Sequence, residues 1–164
     1  MNYLGIDPGK DGALFLIKES GGIEAFVFPK IGLDIDLHRL WQIFQTVPDN
    51  TKVCLEAVHS IFGTGAKSNF EFGGTYFMLQ GMVVARGLPM KLVRPKEWQK
   101  LMHLGIPIVK KKGKNTTDTK AMSLHSFKLH FPNVNATATP RATKFHSGIV
   151  DAGLIAWYAK KAWE

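Results

Sequence analysis

The first 28 residues constrain the fold more tightly than any other stretch. Asn2–Ile6 is apolar and β-prone, and Asp7-Pro8-Gly9 stops it. Lys10-Asp11-Gly12 reads as a turn, because Asp-Gly ahead of Ala13-Leu14-Phe15-Leu16-Ile17 is a strong hairpin signal. Gly21-Gly22 ends that run, and Ile23–Phe28 reads as a third strand. Three consecutive strands with short turns make an antiparallel meander. Beyond Phe28 the periodicity changes. Leu37, Leu40, Trp41 and Phe44 fall at i, i+3, i+4 and i+7, which predicts a helix within Leu33–Thr46. Thr51–Leu55 reads as a buried strand, Phe70–Arg86 as a helix and Pro89–Val93 as a short strand. Lys96–Leu104, Thr116–His130 and Gly148–Ala162 read as helices, the first opened by Pro95 and the second stopped by Pro132. A hairpin meander followed by helical crossovers predicts an α/β fold with a mixed sheet flanked by helices. A chain of 164 residues suits one such domain, residues 1–164, with one continuous core.

Charge says more about partners than about fold. Lys and Arg total 21 against 13 Asp and Glu, a formal charge of +8. Nucleic acid is the commonest polyanion that such an excess serves, although a membrane surface would also fit it. One cysteine, Cys54, excludes an internal disulfide framework and a multi-cysteine zinc site. The N-terminus has no basic, then apolar, leader, and no run approaches the ~18 apolar residues of a membrane span. These features predict a soluble, cytoplasmic protein.

Three carboxylates stand where core-building would not place them. Asp7 ends the first strand, Glu56 follows the apolar Val53-Cys54-Leu55, and Asp151 lies inside Ile149–Ala156, the most apolar helix. Buried carboxylates are rare unless paired or bound to metal. Each alone is accounted for by a cap, a turn or an ion pair. Together they converge if the two strands are neighbours and the last helix packs on their ends. Such a cluster selects Mg²⁺ or Mn²⁺. Two such ions about 3.5–4 Å apart would clamp the attacking and leaving oxygens of a phosphodiester.

The ordered series of motifs resembles RuvC-type Holliday-junction resolvases of the RNase H-like superfamily, most closely their phage-encoded branch. Gly5-Ile6-Asp7-Pro8-Gly9 resembles the family's opening block, and Leu55-Glu56-Ala57-Val58-His59-Ser60 its second acidic block. Asn69-Phe70-Glu71-Phe72-Gly73 is similar to its aromatic helix start, and Pro95-Lys96-Glu97-Trp98-Gln99-Lys100 to its Pro-x-x-Trp-x-Lys block. Phe131-Pro132 and Gly148–Ala156 resemble its helix stop and terminal acidic helix. The resemblance implies an RNase H-like fold and two-metal-ion incision of four-way or other branched DNA. It also implies a homodimer formed through the 70–86 helix, and a phage source would place the protein in the host-cell cytoplasm. Alternatives are a weak or inactive branched-DNA binder on the same fold, and a nuclease acting on RNA–DNA hybrids. A Gly-Ile-Asp-x-Gly opening also occurs in actin-like kinases, but this chain is too short for their two lobes.

One departure stands out. Most relatives carry a further acid, or sometimes a histidine, three or four residues before the final aspartate, where this chain has Gly148 and Ser147. His146 is the nearest substitute, as a metal ligand or proton shuttle, if Ser147 caps the helix. Lys100 and Lys120 match lysines near the family's catalytic centre, and Lys120 is placed to stabilise charge on the scissile phosphate. Lys110, Lys111, Lys112 and Lys114 read as a flexible loop that attracts phosphate without reading sequence. Phe62, in a glycine-flanked loop after Glu56, reads as an exposed aromatic that wedges against unpaired bases. Phe72 and Tyr76 read as core contacts, and Gly73 and Gly74 as sites of close packing.

Overall fold

The computed structural model describes residues 1–58 and 65–163. Strands β1 (Asn2–Asp7), β2 (Ala13–Ile17) and β3 (Ile23–Val27) form the expected meander. β4 (Lys30–Ile31) and β5 (Asp34–Ile35) make a separate two-stranded hairpin. Then come α1 (Leu37–Thr46), β6 (Thr51–Glu56), α2 (Ala66–Ala85), β7 (Met90–Val93), α3 (Pro95–Met102), α4 (Thr119–His130) and α5 (Ser147–Trp163). The main sheet has the order β3-β2-β1-β6-β7, antiparallel on the β3 side and parallel from β1 to β7. It is the mixed α/β sheet that the sequence predicts. No helix among the described residues is long and apolar enough to cross a membrane.

Alternation along the strands divides the interior into two layers. Leu4, Ile6, Leu14, Leu16, Val53 and Leu55 pack against α1 and α2, burying Leu40, Phe44, Tyr76, Leu79 and Val83. Ala13, Phe15, Ile17 and Cys54 face the other way, onto α3, α4 and α5. Phe15 meets Phe127 edge-on at 5.8 Å and Phe131 at 4.9 Å in this second layer. Tyr76 is therefore in the core as expected, and Phe72 is half-buried.

Boundaries shift where caps override apolar periodicity. α1 starts at Leu37 rather than Leu33, because Gly32 turns the β4–β5 hairpin with φ 62° and the Asp36 carboxylate then caps the helix, accepting from Arg39 N at 3.0 Å. α4 starts at Thr119 because Asp118 accepts from Ala121 N at 3.1 Å. The packing expected of Gly73 and Gly74 is not found. A Cβ at either position, or at Gly81, would meet none of the described residues within 4 Å.

Gly5 sets the approach of α5 to the sheet. A Cβ there would lie 2.1 Å from the Ala152 carbonyl oxygen and 2.3 Å from the Ala156 nitrogen, both backbone atoms that cannot swing aside. Gly5→Ala is expected to destabilise the fold by about 1–3 kcal/mol or more, the usual cost of overpacking. Urea unfolding checks this, and a variant as stable as the parent would show that α5 is not seated on β1 in this way.

Candidate active site

Strand parity carries the carboxylates to one place. Gly5 faces α5, so Asp7, two residues on, faces the same way at the C-terminal end of β1. Gly5 pairs with Cys54 and Ile6 with Leu55 in the parallel register, which brings Glu56 beside Asp7 on the α5 face. Asp151 precedes Ala152, the residue seated on Gly5. The three carboxylates thus come from β1, β6 and α5, and their charges act on one another.

Each is held by a defined partner. Asp7 Oδ1 accepts from Gly9 N at 3.1 Å, so Asp7-Pro8-Gly9 closes on its own side chain. Glu56 Oε1 accepts from the buried Trp98 Nε1 at 2.8 Å. The Ser123 hydroxyl hydrogen-bonds Asp151. These bonds do not offset the burial. Desolvation, then the charges of Glu56 and Asp151, push Asp7 from an ordinary 3.8 up to about 7. Burial likewise lifts Asp151 to about 6 and moves Glu56 upward, against the Trp98 hydrogen bond. Lys120 opposes the shift at both Asp7 and Asp151, so its ammonium stands close to the cluster. Lys120 also lines an open cleft of about 260 Å³ with Asp118, Phe145, Ser147 and Asp151.

The donor set consists of hard, desolvated, mutually repelling oxygens, which suits a hard divalent cation. As the side chains stand, no three His, Cys, Asp or Glu groups among the described residues converge closely enough to hold one ion. The donors fit in kind, and Asp7, Glu56 and Asp151 are the side chains that would close on a cation.

His146 is placed differently from the expectation. It is the N-cap of α5: its carbonyl accepts from Val150 N at 3.2 Å and its Nδ1 from Ile149 N at 3.4 Å. The cap is thus His146 rather than Ser147. The charges that act on its ring are Asp11 and Lys30, not the three carboxylates, and burial lowers its pKa. Gly148 is closed to any side chain, since a Cβ would lie 2.3 Å from the Asp11 carbonyl oxygen. The hairpin turn occupies the space that any side chain at that position would need. Ser147, by contrast, faces the cleft.

The remaining candidates sort by distance from the cluster. Lys100 is exposed in the last turn of α3 and is not among the charges that shift the carboxylates. Lys110, Lys111, Lys112 and Lys114 are exposed on an ordered turn rather than a loose loop. A bridge between Lys110 and Thr117 closes it, with Lys111 N to Thr116 O at 2.9 Å, and it runs directly into Asp118 and Lys120 at the cleft. Phe62 lies outside the described residues. Sequence reasoning missed Trp98, Ser123 and His103, a ring nitrogen of which lies 3.1 Å from Ser123 Oγ. Trp98 carried a signal, as an indole in a helix opened by Arg94-Pro95, but Ser123 carried none.

A mixed sheet in this order, with acids at the ends of β1 and β6 and on the closing helix, defines an RNase H-like α/β fold. Solved structures similar to this chain include two of RuvC. T. thermophilus RuvC in complex with a Holliday junction substrate superposes with a TM-score of 0.59 at 16% identity, over 98% of this chain and 96% of that one. A second Thermus thermophilus RuvC structure gives 0.57 at 15%, over 99% and 97%. No family model matches the chain, and no curated protein matches its sequence.

The raised carboxylates make stability depend on pH. An acid whose pKa is higher in the folded chain binds its proton more tightly there, so the stability it contributes is full below about 3.8 and is lost as pH rises toward 7. In chelator, the wild-type Tm should fall across that window. Asp7→Asn should fall less steeply and melt higher than wild type at pH 8. Parallel curves for the two proteins would contradict the burial and coupling of Asp7.

Proposed function

We propose that this protein is a structure-selective endonuclease that cuts four-way (Holliday) or other branched DNA by metal-dependent phosphodiester hydrolysis. The observation that carries the reading is the gathering of three partly buried carboxylates, Asp7 and Glu56 at neighbouring strand ends and Asp151 on the helix packed over them, with Lys120 as a cation that acts on Asp7 and Asp151. Asp7, Glu56 and Asp151 would hold Mg²⁺ or Mn²⁺, which would supply neutralisation of the cluster and the phosphate and an acidified water. Lys120 adds a positive charge where negative charge develops on the scissile phosphate. Lys110, Lys111, Lys112 and Lys114 lead into the same cleft and attract the backbone of an arm, and Lys100 and Phe62 are further DNA contacts in this reading. His146, with Nδ1 engaged in the cap, has Nε2 as its ring nitrogen for a water or proton.

The same reading has the protein act as a homodimer. Phe70, Phe77 and Val84, seven residues apart on α2, are 83%, 70% and 68% exposed, and the open glycines Gly74 and Gly81 lie between them. A groove of about 610 Å³ lined by Leu33, Ile35, Leu37, Phe70, Phe72 and Met78 runs alongside. An exposed apolar helix face, with glycines that pack against none of the described residues, supports a second copy as its cover. The motif series, rather than the structural likeness, supports the phage-encoded branch and hence the host-cell cytoplasm.

A synthetic four-way junction tests the reading. Wild type should cut it in Mg²⁺ or Mn²⁺ and not in chelator, while Asp7→Asn should bind it and leave it intact. Preference for an RNA–DNA hybrid would move the substrate class. Tight junction binding without cleavage in either metal would mark a binder on the same fold, the outcome favoured by the closed position at Gly148.

A further inference from the structure

Helix α3 and its C-cap reach two of the three carboxylates, one directly and one through a serine of α4. Trp98, buried in the second layer, donates its indole N–H to Glu56 Oε1 at 2.8 Å. His103, at the C-cap, lies edge-on to Trp98 with ring centroids 6.1 Å apart, and its Nε2 is 3.1 Å from Ser123 Oγ. Ser123 is buried on α4 and hydrogen-bonds Asp151. A further bond from Ser126 Oγ to the Met102 carbonyl fastens α3 to α4 beside this pair.

Donor accounting gives the chain a direction. An ionised carboxylate only accepts, so Ser123 spends its one hydroxyl proton on Asp151. The Ser123 oxygen is then an acceptor toward His103, which places the imidazole proton on Nε2. Glu56 is likewise an acceptor, and Trp98 has only a donor to offer. Both arms therefore present N–H or O–H groups to the ionised state of a carboxylate, the state that binds a cation.

We infer that α3 is a positioning brace for the candidate metal site. Trp98 orients Glu56, and the His103–Ser123 pair orients Asp151, so that one rigid helix sets two carboxylates from separate elements against each other. Trp98, His103 and Ser123 are positioning residues rather than ligands. The inference rests on the reading that the cleft binds a divalent cation. Partners of this kind typically change metal affinity or activity by roughly 10–100-fold.

The test exploits the proton on Nε2. A Gln side chain carries an N–H donor near the Nε2 position, whereas Leu keeps bulk and loses the donor. H103L is expected to weaken Mn²⁺ binding, read by calorimetry on the DNA-free protein, by roughly tenfold or more, and H103Q to restore most of it. W98F, which keeps an aromatic ring and loses the indole N–H, is expected to weaken binding in the same range. Junction affinity in chelator should stay at the wild-type level for all three. H103L binding Mn²⁺ as wild type does, or H103Q as weak as H103L, would overturn the brace while leaving the cleft intact. Failure of the wild-type protein to bind Mn²⁺ would overturn the metal reading and the brace together, an outcome distinct from either.

Discussion

The contact between Gly5 and the backbone of α5 is the constraint on which the site depends. A Cβ on Gly5 would intrude to 2.1 Å from Ala152 O, so α5 lies closer to β1 than any other residue would allow. That approach places Asp151, one residue before Ala152, at the height of the strand ends where Asp7 and Glu56 emerge. It also explains the composition of α5. Ala152, Gly153, Ala156 and Ala159 are buried small residues, and Gly153 admits the ring of Phe127, which would lie 2.5 Å from a Cβ. A helix of bulkier residues would stand off the sheet and carry its carboxylate away with it.

Bringing these acids together opposes folding. Three carboxylates in a desolvated cleft disfavour their own ionisation, and burial rather than mutual repulsion is the largest cause for each. Gly9 N, Trp98 and Ser123 soften the cost, and Lys120 adds one opposing charge. The remaining imbalance is what a hard cation would remove. A cluster so arranged is better suited to binding than to stability, since apolar residues at these positions would pack at lower cost.

Much of the architecture was legible because it is written in local pattern. The apolar, β-prone runs of β1–β3 and the Asp-Gly turn specify the meander, and Val53-Cys54-Leu55 marks β6 as a buried strand. The three acids stood out because each interrupts an apolar run. What was not legible depends on contacts distant in sequence. The Ser123–Asp151 bond joins two helices, and nothing around Ser123 in the sequence distinguishes it from a surface serine. The direction of His146 was likewise hidden, since a histidine before an apolar helix reads equally well as a ligand and as a cap. The turn from Lys110 to Thr117 is ordered by backbone bonds that its lysine-rich composition does not announce. Gly73 and Gly74 have no packing among the described residues, so the close packing expected of them could not be read from their place in the helix.

The central claim is that Asp7, Glu56 and Asp151 close on a divalent cation, and its most direct test is to locate that cation. Crystals grown in Mn²⁺, with diffraction recorded at the manganese absorption edge, would give the ion's position independently of any assay. The account predicts an anomalous peak bounded by carboxylate oxygens of Asp7, Glu56 and Asp151, with ligand distances near 2.1–2.2 Å, about those expected of small hard cations. A Mn²⁺-saturated crystal with no peak among these three side chains would contradict it.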